Sequence, residues 1–131
     1  MNKTVLIVDD DPIVRIIIQK MIHNLDSSVF CYQCDNGEVG LSVLETLQNA
    51  TDTIVVLLDF NMPVLNGWEF LDSLKKINLD SFNIFQLYIV TSSTDESDKL
   101  KAQSYSVVKR LYHKPLLKKD IAEILDSHEI T

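Results

Sequence analysis

The sequence predicts an α/β fold: a parallel sheet of five strands with five helices spread over both faces. Three observations carry this. Strand-like and helix-like segments alternate along the chain, the pattern that gives a parallel sheet covered on both sides. Two strand segments, Thr4 to Val8 and Thr53 to Leu58, are almost wholly apolar on both faces, as strands buried between helix layers must be. Both runs stop at carboxylates, Asp9-Asp10-Asp11 and Asp59, on the edge where open α/β sheets bind their ligands.

The elements follow in order. Thr4 to Val8 is the first strand. A helix spans Pro12 to Leu25, with Asp11 as N-cap and Pro12 at the first helical position, where a missing N–H costs nothing. Its Val14, Ile17, Ile18, Met21, Ile22 and Leu25 recur at helical spacing. Val29 to Cys34 is the second strand, and Asp35-Asn36-Gly37 turns into a helix that runs to Gln48 with Leu41, Leu44 and Leu47 inward. The third strand ends at Asp59. The loop from Pro63 to Gly67 leads to a helix from Asn66 to Ile77 with Trp68, Phe70, Leu71 and Leu74 apolar. Gln86 to Thr91 is the fourth strand. After the polar Ser92-Ser93-Thr94-Asp95, Glu96 to Ser104 forms a short, loosely held helix whose core candidates are Leu100 and Ala102. Val107 to Tyr112 is the last strand. Lys114-Pro115 breaks it, and Leu116 to Asp126 forms the final helix with Ile121, Ile124 and Leu125 inward.

The 131 residues suffice for one domain, with a core expected over about 3–126 and no output domain after it. The net charge of −7 argues against general nucleic-acid binding, which needs a basic face, but leaves room for a local basic patch. No apolar run approaches the roughly 20 residues that span a bilayer, and Met1-Asn2-Lys3 runs into a strand without a secretory pattern. A cytoplasmic protein with no membrane partner is expected. Cys31 and Cys34 lie three apart on a strand and so face opposite ways. They read as ordinary thiols rather than as a redox pair or metal site.

Four polar elements collect at the carboxyl ends of strands: Asp9-Asp10, Asp59, Thr91-Ser92 and Lys114. Clustered carboxylates raise one another's pKa unless a cation sits among them. Mg²⁺ suits such a place, since it takes oxygen ligands from one or two carboxylates, waters and phosphate. A metal, a lysine and a hydroxyl around one carboxylate fit phosphoryl transfer with the carboxylate as nucleophile. Taken singly, each has a plainer reading: the Asp run as a helix cap, Asp59 as a loop residue bonding its own backbone, Thr91-Ser92 as a turn, Lys114 as a surface lysine. Their joint occurrence at the ends of four strands favours the site.

These residues carry a resemblance to the receiver domain of response regulators in two-component signalling. It rests on Val5 to Pro12, on Leu57-Leu58-Asp59-Phe60-Asn61-Met62-Pro63-Val64-Leu65-Asn66-Gly67, on Ile89 to Ser92 and on Lys114-Pro115-Leu116. The resemblance implies a flavodoxin-like sheet in the order 2-1-3-4-5. It implies that Asp59 accepts a phosphoryl group from a phosphohistidine of a sensor histidine kinase or phosphotransfer protein. Asp10 would bind Mg²⁺ directly, Asp9 directly or through water, and Asn61 through its backbone carbonyl. Thr91, with Ser92 beside it, would bind the phosphoryl group and turn inward on activation. Lys114 would pair with a phosphoryl oxygen, and the bond before Pro115 would be cis.

Two departures stand out. The family commonly carries Tyr or Phe three residues before the lysine; here that position is Leu111, with Tyr112 on the opposite strand face. Gly40 stands in the second helix where alanine is usual, which is expected to loosen that helix by about 1 kcal/mol. The resulting expectation is a monomeric or weakly dimeric switch that binds an unidentified downstream protein over about Thr94 to Ile124. It is not an enzyme acting on an external substrate. The rivals are a receiver-like interaction module that ignores phosphate and a flavodoxin-like enzyme for a small ligand. The latter is disfavoured by the lack of a Gly-rich phosphate loop in a chain with three glycines.

Overall fold

The computed structural model describes residues 3–47, 53–60, 62, 65–77, 84–92 and 94–126. Strands β1 (Lys3–Val8), β2 (Phe30–Cys34), β3 (Thr53–Asp59), β4 (Ile84–Thr91) and β5 (Val108–His113) alternate with helices α1 (Pro12–Leu25), α2 (Gly37–Thr46), α3 (Gly67–Leu74), α4 (Glu96–Gln103) and α5 (Lys118–Asp126). All strand pairs are parallel and the sheet order is β2-β1-β3-β4-β5, as expected.

The two faces of the sheet bury separate cores. Leu6, Val8, Ile54, Val56, Leu58, Leu87 and Ile89 face α2, α3 and α4. Val5, Ile7, Val55, Leu57, Tyr88 and Val90 face α1 and α5 through Ile18, Ile22, Ile121, Ile124 and Leu125. The alternation of neighbours between the two cores is the strand period of two. Each fully buried Leu or Ile contributes roughly 1.5–3 kcal/mol relative to exposure, so the middle strands β1 and β3 anchor the fold. Helix starts are built locally. Asp11 Oδ1 accepts from the Ile13 N–H at 2.9 Å. Asn66 and Glu69 form a reciprocal capping box at α3.

Several sequence expectations are corrected. Leu100 is 66% exposed, and Ala102 alone of the two is buried. Residues two apart on a helix lie about 200° apart, so the pair cannot share a face; Ala102 is the one that packs into the core. On α1, Ile18 and Ile22 turn inward while Ile17 and Leu25 are exposed. Val14 and Met21 pack beside that pair, so the apolar stripe of α1 is narrower than its sequence pattern. Helix α3 ends at Leu74, and a turn of i→i−3 bonds then carries the buried Ile77. Strand β4 starts two residues early, at Ile84, and α5 two residues late, at Lys118. There the Asp120 carboxylate accepts from the Leu117 N–H at 2.9 Å. Gln48 lies outside the described residues; α2 ends at Thr46.

Gly40 is a position of close contact. A Cβ built on it would lie 3.1 Å from both the Phe70 ring and a Val8 methyl. The glycine lets α2 press against β1 and α3, which offsets its low helix propensity. Cys34 and Cys31 fall into opposite cores and remain free thiols.

Candidate functional site

Sheet register builds the site. Val8 pairs with Leu58, so the residues that follow, Asp9 and Asp59, emerge side by side from adjacent central strands. Thr91 pairs with His113 and its carbonyl accepts from the Lys114 N–H at 2.9 Å, which fixes the lysine at the same edge. Lys114 Nζ then lies 3.1 Å from Asp9 Oδ2 and 3.2 Å from Asp59 Oδ2. Asp9 and Asp59 are buried, Asp10 is exposed, and Lys114 is half-buried.

Each of these groups is held by its neighbours. Asp9 Oδ1 accepts from the Asp11 N–H at 2.9 Å, and the Asp9 carbonyl accepts from Arg15 Nη1 at 2.7 Å. The same aspartate run therefore caps α1 through Asp11 and turns Asp9 toward the pocket; the plain and functional readings are both true, of different residues. Burial by itself would lower the Lys114 pKa, but the hydrogen bond to Asp9 and the charges of Asp59 and Asp9 outweigh it and hold the ammonium above its ordinary value.

The donor set suits a divalent cation. One oxygen from each of Asp9, Asp10 and Asp59 lies within 4.8 Å of the others. Three carboxylates face one ammonium, so the pocket carries an excess of two negative charges. Hard oxygen donors with that excess fit Mg²⁺. Asn61 lies outside the described residues, as does Pro63, while Met62 between them is buried. Thr91 is buried at the end of β4 and Ser92, next in the chain, is exposed. The Lys114–Pro115 peptide bond is cis.

The sequence reading missed the aromatic frame around the acceptor loop. Phe60, next to Asp59, lies edge-on to Trp68 with centroids 4.4 Å apart. Gly67 sits directly under the Phe60 ring, and a Cβ there would fall 2.0 Å from it. Leu65 adopts φ 54°, a left-handed conformation unusual for a residue other than glycine, so the loop is held in a specific, mildly strained shape. Trp68 also neighbours Tyr105, at 6.1 Å, and Lys101 Nζ, 4.3 Å from its ring. Tyr105 donates to Asp72 at 3.0 Å. This frame ties the loop after Asp59 to α4. The Phe60-to-Trp68 spacing was visible in the sequence, but only the fold brings Tyr105 and Lys101 to it.

Leu111 and Tyr112 point as expected. Leu111 packs on the α2–α4 side, whereas Tyr112 is buried on the α1–α5 side. Burial pushes the Tyr112 phenol up to about 12, and its hydroxyl donates to Glu123 at 3.3 Å. No Tyr, Phe or Trp stands on β5 facing α4.

The sequence matches the family described as response regulator receiver domain over residues 5–126. The chain is 31% identical over 99 residues to the nitrate/nitrite response regulator protein NarL of Escherichia coli K12. That stretch covers 76% of this chain and 42% of NarL, so the chain spans less than half of that relative. It is 27% identical to the chemotaxis protein CheY1 of Helicobacter pylori 26695, covering 95% of this chain and 98% of CheY1. Among solved structures, a two-component response regulator from Cytophaga hutchinsonii superposes with a TM-score of 0.83 at 26% identity, covering 96% of each chain. With the 2-1-3-4-5 sheet and the acidic pocket at its carboxyl edge, the protein belongs to the response regulator receiver domain family.

Proposed function

We propose that this chain is a phosphorylation-controlled signalling switch whose acceptor is Asp59. The carrying observation is the shared grip of Lys114 on Asp9 and Asp59 at 3.1 and 3.2 Å, which sets a cation against the acceptor carboxylate beside a second buried carboxylate. The donor is a phosphohistidine on a sensor histidine kinase or phosphotransfer protein. An Asp59 carboxylate oxygen attacks phosphorus, the P–N bond breaks, and the electron pair returns to the imidazole, which leaves as the neutral base after taking up a proton. Mg²⁺ held by Asp9, Asp10 and Asp59, with Asn61 as a further ligand, would neutralise the pocket and the phosphoryl oxygens.

Lys114 changes partners in this scheme. Its ammonium bridges two carboxylates before transfer and pairs with the incoming dianion afterwards. Thr91, buried beside it, offers its hydroxyl to the phosphoryl group, with Ser92 at the rim, and so carries the change to the segment before α4. The donor protein docks on apolar surface beside the mouth. A groove of about 290 Å³ lies there, lined by Val14, Ile17, Leu116 and Lys114, and Ile13 and Leu117, next to lining residues in the chain, are exposed. An exposed apolar patch of this kind favours a protein partner. The chain's own phosphorylation and dephosphorylation are its only chemistry.

Acetyl phosphate with Mg²⁺ tests the reading. Intact-mass measurement should show one added phosphoryl group, lost in acid, in the wild type and none in Asp59→Asn. Equal modification of both proteins would place the acceptor elsewhere.

A further inference from the structure

The second strand holds no charged residue, although the chain as a whole carries −7. Strand β2 reads Phe30-Cys31-Tyr32-Gln33-Cys34 and stands at one edge of the sheet. The opposite edge, β5, is blunted by Lys109, Arg110 and His113, as exposed edges usually are. On β2 the outstanding side chain is instead Phe30, 58% exposed, with its ring 4.9 Å from that of Tyr32. Both rings lie on the sheet face that carries α2, since residues two apart on a strand share a face.

The backbone of β2 is open as well. The Asp9 N–H donates to the Cys34 carbonyl at 3.0 Å, so Cys34, Tyr32 and Phe30 turn their backbone groups toward β1. Those of Cys31 and Gln33 point away from the sheet, where no described strand meets them. Val29 is already committed: its N–H donates to the Asp26 carbonyl at 3.3 Å, and its own carbonyl lies 3.0 Å from His23 Nε2. The outward groups of Cys31 and Gln33 are complementary to themselves. We propose that β2 pairs antiparallel with β2 of a second copy of this chain, about a two-fold axis at Tyr32. Cys31 of each copy then exchanges both backbone hydrogen bonds with Gln33 of the other, and Tyr32 faces its own mate.

Rings, register and charge select this occupant. The pairing sets the Phe30 and Tyr32 rings of both copies in one row across the junction and covers Phe30. Sliding the strands one way would call on the groups of Val29, which are bonded already. Sliding them the other way would set Asp35 opposite Cys31 and carry Phe30 past the end of the partner strand. Elsewhere two copies of an acidic chain repel each other, whereas this edge puts no charge in the way. A foreign extended segment could fill the same bonds, but no charged group on β2 selects one. The junction also adjoins the acidic site, because Gln33 Oε1 accepts from Arg15 Nε at 3.4 Å and Arg15 Nη1 donates to the Asp9 carbonyl at 2.7 Å. The pairing needs no phosphate, so it stands or falls apart from the Asp59 chemistry.

Sedimentation equilibrium of the full chain, in reductant and without phosphodonor, tests the proposal. Wild type should pass from monomer to dimer across the micromolar to millimolar range. Phe30→Glu removes a ring from the row and sets like charges on both copies, and should weaken the association about tenfold or more. In wild type, hydrogen exchange read by NMR should slow at the Cys31 and Gln33 amides as concentration rises. The Tyr32 amide, turned toward β1, should change little. This second measurement needs no variant and decides the matter if Phe30→Glu does not fold. A chain that stays monomeric at millimolar concentration would overturn the proposal. So would a dimer that Phe30→Glu leaves intact, or one that forms without slowing exchange at Cys31 and Gln33. A dimer broken instead by Leu117→Glu would assign the contact to the apolar patch beside α1 and overturn it too.

Discussion

Replacing Asp59 by asparagine is expected to stabilise the metal-free protein. The Asp59 carboxylate is 3% exposed and faces Asp9 and Asp10, with one oxygen of each within 4.8 Å of the others. At an effective dielectric of about 20, unit charges at the 4.8 Å limit of that separation repel by roughly 3.5 kcal/mol, and two such pairs vanish with the charge. The lost attraction to Lys114 Nζ at 3.2 Å is roughly 5 kcal/mol on the same footing. The balance favours asparagine by about 2 kcal/mol, and the neutral amide is also less costly to bury. Lys114 keeps its contact with Asp9 at 3.1 Å, and the near-identical shape leaves packing unchanged. Mg²⁺ reverses the trend, because a cation bound to the native site stabilises the wild type by mass action and the variant has lost a ligand. Urea unfolding in chelator and in excess Mg²⁺ measures both effects, with the slope unchanged if only stability moves. A variant less stable than wild type in chelator, or one stabilised equally by Mg²⁺, would refute the reasoning.

Two further outcomes are expected. Burial pushes the thiols of Cys31 and Cys34 from 9.0 up to about 11. The fold thus favours their protonated form, and the stability this contributes is full below about pH 9 and lost as pH rises to about 11. A thiol reagent near neutral pH should react slowly with the folded protein and promptly after unfolding; rapid reaction of both thiols in the folded state would contradict the burial. Gly67→Ala must displace the Phe60 ring, since the added methyl falls 2.0 Å from it. It should cost roughly 1–3 kcal/mol, as overpacking does, and change Trp68 fluorescence; a variant matching wild type in both would show that the ring moves freely.

The sequence by itself determined the sheet, its strands and the nature of the acidic edge. The apolar runs ending at Val8 and Leu58 are long and two-sided, so nothing but a buried parallel strand satisfies them, and the carboxylates that follow have only one edge to occupy. Short-range signals were equally legible: Asp11 before Pro12 reads as a cap because the bond it makes spans two residues. What needed the tertiary structure was every choice among faces. Ala102 rather than Leu100 enters the core, a choice of face that the short, polar pattern of α4 does not encode. Gly40 reads as a weakness by propensity and proves to be a close contact with Val8 and Phe70, residues remote in the chain. The cation–π contact of Lys101 on Trp68 likewise joins segments that only folding brings together. The shared hold of Lys114 on Asp9 and Asp59 depends on the same step: strand register sets their spacing, and register is a property of paired strands rather than of any one of them.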